Sequence, residues 1–338
     1  MTRNVLKPIA LCNNLGENLF SCYPSLQSAT TMKLPFIPFL FAASLTFTLS
    51  AADFDIRNQD EFRKIVPESA KVEKLQGGFR FTEGPVWMAQ GHLIFSDIPA
   101  NELKKWTSEG VSTFRRPSQN ANGNTVDLDG RLISAEHSGR RLSRTANDGQ
   151  VETVVDQFEG KKFNSPNDVV VKSDGTFWFT DPDYGLGQNK REIEGNWVFR
   201  HDPKSKKTTV LVKDIDKPNG LCFSPDETKL YIADSGRPRH IRVFDVSSDS
   251  LNGGKVFCQI DKGGPDGIRA DSVGRIYSSA GDGVHIFSPD GELIGKIFVP
   301  EAPANLCFGG KDFKTLFITA RTGLYKIDLA VEGHRNKN

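Results

Sequence analysis

The sequence predicts an all-β fold: a six-bladed β-propeller with four antiparallel strands per blade, the last blade closed by an N-terminal strand. Three observations carry that expectation. An oxygen-bearing residue followed eight positions later by glycine recurs along the chain, at Glu83 and Gly91, Asn122 and Gly130, Asn167 and Gly175, and Asp266 and Gly274. Asn219 and Asn305 open the same pattern with longer turns, and the six anchors are 39, 45, 52, 47 and 39 residues apart, the period of a four-stranded propeller blade. Alternating apolar runs broken by Asp129-Gly130, Asp174-Gly175 and Asp290-Gly291 read as antiparallel hairpins, and no helical period is visible.

The elements follow in order within each unit. A short extended run after the anchor, such as Asp168–Val171 or Gly267–Ala270, is the first strand. The second is the apolar run beyond the turn: Leu93–Phe95, Leu132–Ser134, Phe177–Phe179, Leu230–Ile232, Ile276–Tyr277 and Leu316–Ile318. Third and fourth strands come next, as in Trp197–Phe199 with Val210–Val212, or Ile241–Phe244 with Val256–Cys258. Asp97, Glu136, Asp181 and Asp234 close the second run in four consecutive units, and the three aspartates are expected to bond the backbone of neighbouring blades. The last unit has three strands before the polar tail Gly333–Asn338, so Val72–Leu75 is expected to supply the fourth and remove a free edge. Six equal units with polar anchors in one register argue against a two-sheet sandwich.

Residues 1–52 read differently. Leu34–Ala52 carries no charge, follows Met32-Lys33, and ends on the small residues Ser50-Ala51-Ala52. A positive start, a short apolar core and a small-x-small end predict a secretory signal peptide cleaved after Ala52, with Met32 as an alternative start. The expected organisation is an N-terminal extension and signal peptide over 1–52 and a single catalytic propeller over 53–338, periplasmic or secreted and free of the membrane after cleavage. Cys222, Cys258 and Cys307 lack the spacing of a zinc site, and Cys222 and Cys307 sit in apolar runs as small core residues. A net charge of +1 on 338 residues gives no basis for nucleic-acid binding and leaves a small molecule as the expected partner.

First strands of propeller blades line the central channel, so Glu83, Asn122, Asn167, Asn219, Asp266 and Asn305 should form one ring. Any one of them alone reads as a turn former. Two carboxylates and four amides in one register, all offering oxygen, suit a hard cation such as Ca²⁺, with another divalent cation as the alternative. No His or Cys occupies an anchor position, which disfavours Zn²⁺. His137, just past the end of a second strand, is a candidate proton shuttle or substrate donor, or else a supporting histidine behind the site. Tyr184 and Asn189 lie in a long third-blade insertion, Tyr184–Glu194, expected at the rim.

Phe81–Trp87, Asn164–Val170 with Trp178–Pro182, Pro218–Gly220 and Pro265–Gly267 together resemble the gluconolactonase/regucalcin (senescence marker protein) family from about Val72 to Leu329. Glu136-His137 with Arg140-Arg141, and Asp183–Gly185, resemble its bacterial gluconolactonase branch. The resemblance implies a six-bladed propeller, one catalytic divalent metal, usually Ca²⁺, and lactone hydrolysis. By position it implies Glu83, Asn167, Asn219 and Asp266 as metal ligands. Ser165 stands where animal members carry a substrate-holding Arg, so substrate grip is expected to differ.

The resulting expectation is metal-assisted hydrolysis of a sugar lactone such as glucono-1,5-lactone, with Asp266 as general base and Asn122, His137 and Tyr184 on the substrate. Two rivals stay open: a related propeller hydrolase of other lactones, arylesters or organophosphates, and a non-enzymatic binding propeller. The absence of a Gly-x-Ser-x-Gly elbow, a phosphate loop or an HExxH motif removes serine-hydrolase, nucleotide-hydrolysing and zincin readings.

Overall fold

The computed structural model describes residues 53–335. The expected signal peptide, Met32, Cys12 and Cys22 lie outside the described residues. The strands form six antiparallel blades; chain order equals spatial order in the first four, and the fifth and sixth each gain an N-terminal strand at the outer edge. The innermost strands are Thr82–Met88, Ala121–Val126, Val169–Val171, Pro218–Phe223, Ile268–Ala270 and Pro303–Gly309. Glu73–Gly77 pairs with Gly323–Asp328 and completes the last blade, as the sequence leads one to expect.

Six apolar clusters hold the ring together, one between each pair of adjacent blades. Val86, Ile94 and Leu103 of the first blade meet Ala121 and Leu132 of the second. At the closure, Leu93 and Phe95 meet Cys307, Phe317 and Leu324 of the sixth. Alternating residues along each strand therefore face neighbouring blades on both sides, so the apolar runs are nearly continuous.

Glycine after the anchor lets the innermost strands approach one another. A Cβ on Gly220 would lie 2.3 Å from the carbonyl oxygen of Asp266. Because Gly220 has none, its N–H donates to that carbonyl at 3.1 Å across the blade boundary. Such backbone contacts draw the anchors of neighbouring blades into a tight ring.

Two N-terminal elements were not legible. Phe54–Ile56 adds a fifth strand to the outer edge of the fifth blade, against Leu293–Phe298. Gln59–Ile65 is an α-helix, which corrects the expectation of no helix. Seven residues are too few to display a 3.6-residue period, but its ends are marked. Asn58 accepts from the Glu61 N–H, acids occupy the first turn and bases the last, and Phe62 and Ile65 are buried.

The aspartates that end the second strands also need correcting. They bond the segment entering their own blade, not a neighbour's backbone: Asp97 accepts from the N–H groups of Arg80 and Phe81, and Asp181 from Asn164 and Ser165. Asp234 accepts likewise from Asp216 and Lys217. Each carboxylate thus fixes the residues just ahead of an anchor. Among the described residues the cysteines Cys222, Cys258 and Cys307 are buried free thiols.

Candidate functional site

Glu83, Asn122, His137, Asn167, Tyr184, Asn219 and Asp266 line one cavity of about 410 Å³ at one mouth of the channel. The first strands supply Glu83, Asn122 and Asn219, the residues just ahead of two first strands supply Asn167 and Asp266, and the segments following two second strands supply His137 and Tyr184. Phe81, Ile98, Ser235 and Pro265 complete much of the wall, and sequence reading did not find them. Ser235 lies one residue past a strand-closing aspartate, the same register as His137 after Glu136, and that parallel was the available signal.

Asn305, the sixth anchor, does not line the cavity. Its Nδ2 donates to Glu83 Oε2 at 2.9 Å, while the Gly84 N–H donates to the same oxygen at 2.6 Å. Glu83 is thereby held on one oxygen. Burial raises the Glu83 carboxyl to about 7 against these bonds, and Asp168 adds to the rise. Asp266 stands well above the usual carboxylate range because it is buried and faces the charges of Glu83 and Asp168. A neighbouring cation would relieve both groups.

The amides are oriented by partners behind them. Asn122 Nδ2 lies 3.1 Å from His137 Nε2, and Asn122 Oδ1 is buried with no hydrogen-bond partner. Burial lowers the His137 pKa to about 4, so the ring is neutral at pH 7. Accepting from the amide at Nε2 puts its proton on Nδ1. Asn219 Nδ2 donates to Ser235 Oγ at 2.9 Å, which leaves Oδ1 as its acceptor. No protein group is bonded to the Asn167 side chain among the described residues. The carboxylate and amide oxygens of Glu83, Asn167, Asn219 and Asp266 fit a hard divalent cation.

The third-blade insertion is tied down. Asp183 pairs with Arg191 at 2.6 Å and with Lys217, whose Nζ lies 5.5 Å from the Tyr184 ring centre. Ser165 does not enter the cavity. Its hydroxyl donates to the Pro182 carbonyl at 2.6 Å and accepts from the Gly185 N–H at 2.9 Å, bracing the loop instead. Gly185 in turn packs on His137, where a Cβ would lie 2.3 Å from Cγ. Asn189 is exposed outside the cavity wall.

A second group of side chains could hold a metal ion. Asp261, Asp282 and His285 offer ligand atoms within 4.8 Å of one another. Lys296 Nζ already donates to Asp261 at 2.8 Å and to Asp282 at 3.1 Å, and Asp282 also bonds His285 Nε2 at 2.6 Å. That ammonium supplies positive charge a metal would otherwise bring.

Residues 81–322 match the protein family described as SMP-30/Gluconolactonase/LRE-like region. A gluconolactonase of Zymomonas mobilis is 37% identical over 295 residues, covering 78% of this chain and 82% of that protein. A solved gluconolactonase of Xanthomonas campestris superposes with a TM-score of 0.79 at 32% identity, covering 82% of this chain and 95% of that one. A calcium-binding regucalcin of Agrobacterium tumefaciens, at 22% identity and a TM-score of 0.66, shares the fold over 78% of this chain and 96% of its own.

Proposed function

The chain belongs to the SMP-30/gluconolactonase/LRE-like family and is a lactonase, and from that premise we propose that it hydrolyses a neutral sugar lactone such as glucono-1,5-lactone with the aid of one Ca²⁺. The observation that carries this reading is the cavity wall: five amide or carboxylate anchors beside a neutral histidine, with no Lys or Arg among the described residues lining it. A phosphate or sulfate on the substrate would find no basic side chain on that wall, whereas sugar hydroxyls find donors and acceptors.

Glu83, Asn167, Asn219 and Asp266 would hold the cation. Bound there, it supplies a Lewis acid for the lactone carbonyl and charge for the developing oxyanion. Asp266 takes a proton from the attacking water as its oxygen bonds to the carbonyl carbon. The ring C–O bond then breaks and that proton passes to the departing ring oxygen, giving the aldonic acid. Asn122 Oδ1 accepts from a sugar hydroxyl, His137 keeps the amide in that orientation, and the Tyr184 hydroxyl bonds the substrate from the rim.

The test pairs two variants. Asp266→Asn keeps the shape and one ligand oxygen but cannot take a proton, so kcat should fall about 10²–10⁴-fold even at saturating Ca²⁺. Glu83→Gln should weaken metal binding and regain much of its rate when Ca²⁺ is raised. Near-normal turnover of Asp266→Asn at saturating metal would remove it as the base. Metal analysis decides between the two candidate centres, since loss of the ion on Asp282→Asn but not on Glu83→Gln would move the metal to the Asp261 cluster.

The charge-free run before Ala52 supports export to the periplasm or medium, leaving 53–338 as the working propeller. Protein from the native host should begin near Asp53, and intact residues 33–52 on a cytosolic protein would overturn this.

A further inference from the structure

The strands that carry the anchors at one mouth of the channel run on to a second, larger cavity of about 750 Å³ at the other. Between the two lies a polar plug. Asp168 pairs with Arg269 at 3.3 Å, Arg269 also donates to the Ile268 carbonyl at 2.7 Å, and Asn305 bonds Glu83. The plug leaves the second cavity separate from the lactone site.

Its wall has a different chemistry. Val86, Trp87, Val126 and Phe223 are among the apolar groups that line it. Arg269, Lys311 and Arg335 also line it, and among the described residues of the wall there is no Asp or Glu. Asp168 offsets Arg269 at the deep end, whereas Lys311 and Arg335 at the opening have no ion-pair partner among the described residues. Lys311 stands in a first-to-second-strand turn. Arg335 is delivered by the C-terminal segment, which is stitched to the fifth and sixth blades by the Gly333 N–H on the Phe313 carbonyl and the His334 N–H on the Ala270 carbonyl, both at 3.0 Å. Its guanidinium lies 4.7 Å from the Phe313 ring centre.

We propose that this cavity binds an amphipathic monoanion, an alkyl or aryl carboxylate whose apolar body lies against Val86, Trp87 and Val126 and whose carboxylate faces Lys311 and Arg335. Apolar concavities of some 300–1,000 Å³ with a few placed polar groups are the usual form of small-ligand sites. Water-filled channel ends have no need of an apolar wall. The positive mouth selects an anion over a neutral amphiphile, and the separate location makes the ligand a companion of the lactone substrate, not a competitor.

Octanoate and 1-octanol, titrated into the full chain by calorimetry with Trp87 fluorescence as a second readout, test this. Octanoate should bind at one site and more tightly than octanol. Reversing both mouth charges, Lys311→Glu with Arg335→Glu, should weaken octanoate about tenfold or more and leave octanol unchanged. Ala89→Trp, at the exposed lip, should weaken both. Lactone turnover should stay at the wild-type level in these variants, which separates this site from the one at the other mouth. No octanoate binding, or equal affinity for octanol, would overturn the proposal. A dimer in solution that Ala89→Trp dissociates would do the same, by assigning the opening to a second copy of the chain.

Discussion

His137 illustrates how a single side chain acquires a role from its surroundings. A protonated imidazole could not accept from Asn122, so burial, by lowering the pKa to about 4, keeps the acceptor available at neutral pH. Gly185 sets the ring position from the other side. Gly185→Ala would place a methyl inside contact distance of the ring, and kcat/KM for the lactone should fall about tenfold or more, since small displacements of positioning groups cost that much. Asn189→Ala, in the same loop but exposed, should leave turnover unchanged. Equal rates for Gly185→Ala and wild type would show that His137 does not position Asn122.

At the scale of elements, ring closure depends on one strand from each end of the chain, and Glu301 is the residue that joins them. It accepts from the Tyr325 hydroxyl at 2.6 Å, from Thr322 N–H and Oγ1 at 2.8 and 2.7 Å, and from Lys74 of the closing strand at 3.0 Å. Burial opposes its ionisation, but the bonds from Tyr325, Thr322 and Lys74 outweigh burial and hold the carboxyl at about 2, against an ordinary 4.5. A depressed folded-state pKa gives stability that is fully present above the unfolded value and is lost as pH falls through the folded one. The contribution should therefore be intact above pH 4.5 and disappear towards pH 2. Glu301→Gln should cost about 1–3 kcal/mol at pH 7. Thermal melts of the two proteins should converge as pH is lowered through that window, and a constant difference would refute the assignment.

Across the whole molecule, the six interblade clusters close the propeller into a circle, and the channel ring adds a centre to it. Glu83, Asn167, Asn219 and Asp266 come from the first, third, fourth and fifth blades. A cation held by all four would tie those blades together, and a ligand that binds only the folded state stabilises by about 2.7 kcal/mol at a hundredfold excess over Kd. Saturating Ca²⁺ should raise Tm by about 5 °C or more over chelated protein, at the 2–4 °C per kcal/mol typical of larger domains. Glu83→Gln should shrink that shift. An unchanged Tm after chelation would argue that the ring holds no metal.

The sequence by itself determined the propeller, its blade boundaries, the closing strand and the members of the ring. These features repeat, and a repeat written six times in one register is visible without knowing what touches what. The seven residues named for the site meet in one cavity for the same reason, because a shared register in the blades becomes a shared mouth in space. Tertiary structure alone decided what each side chain is bonded to. Ser165 stands where animal members of the family carry a substrate-holding Arg, and only the structure shows that its hydroxyl is used by Pro182 and Gly185 instead. Asn305 belongs to the ring in register but supports Glu83 from below. The second cavity was invisible because its cations, Arg269, Lys311 and Arg335, are spread over the chain and gather only when the blades close. Register is a local property of the chain, whereas partner choice depends on which distant groups packing brings within about 3 Å of each other.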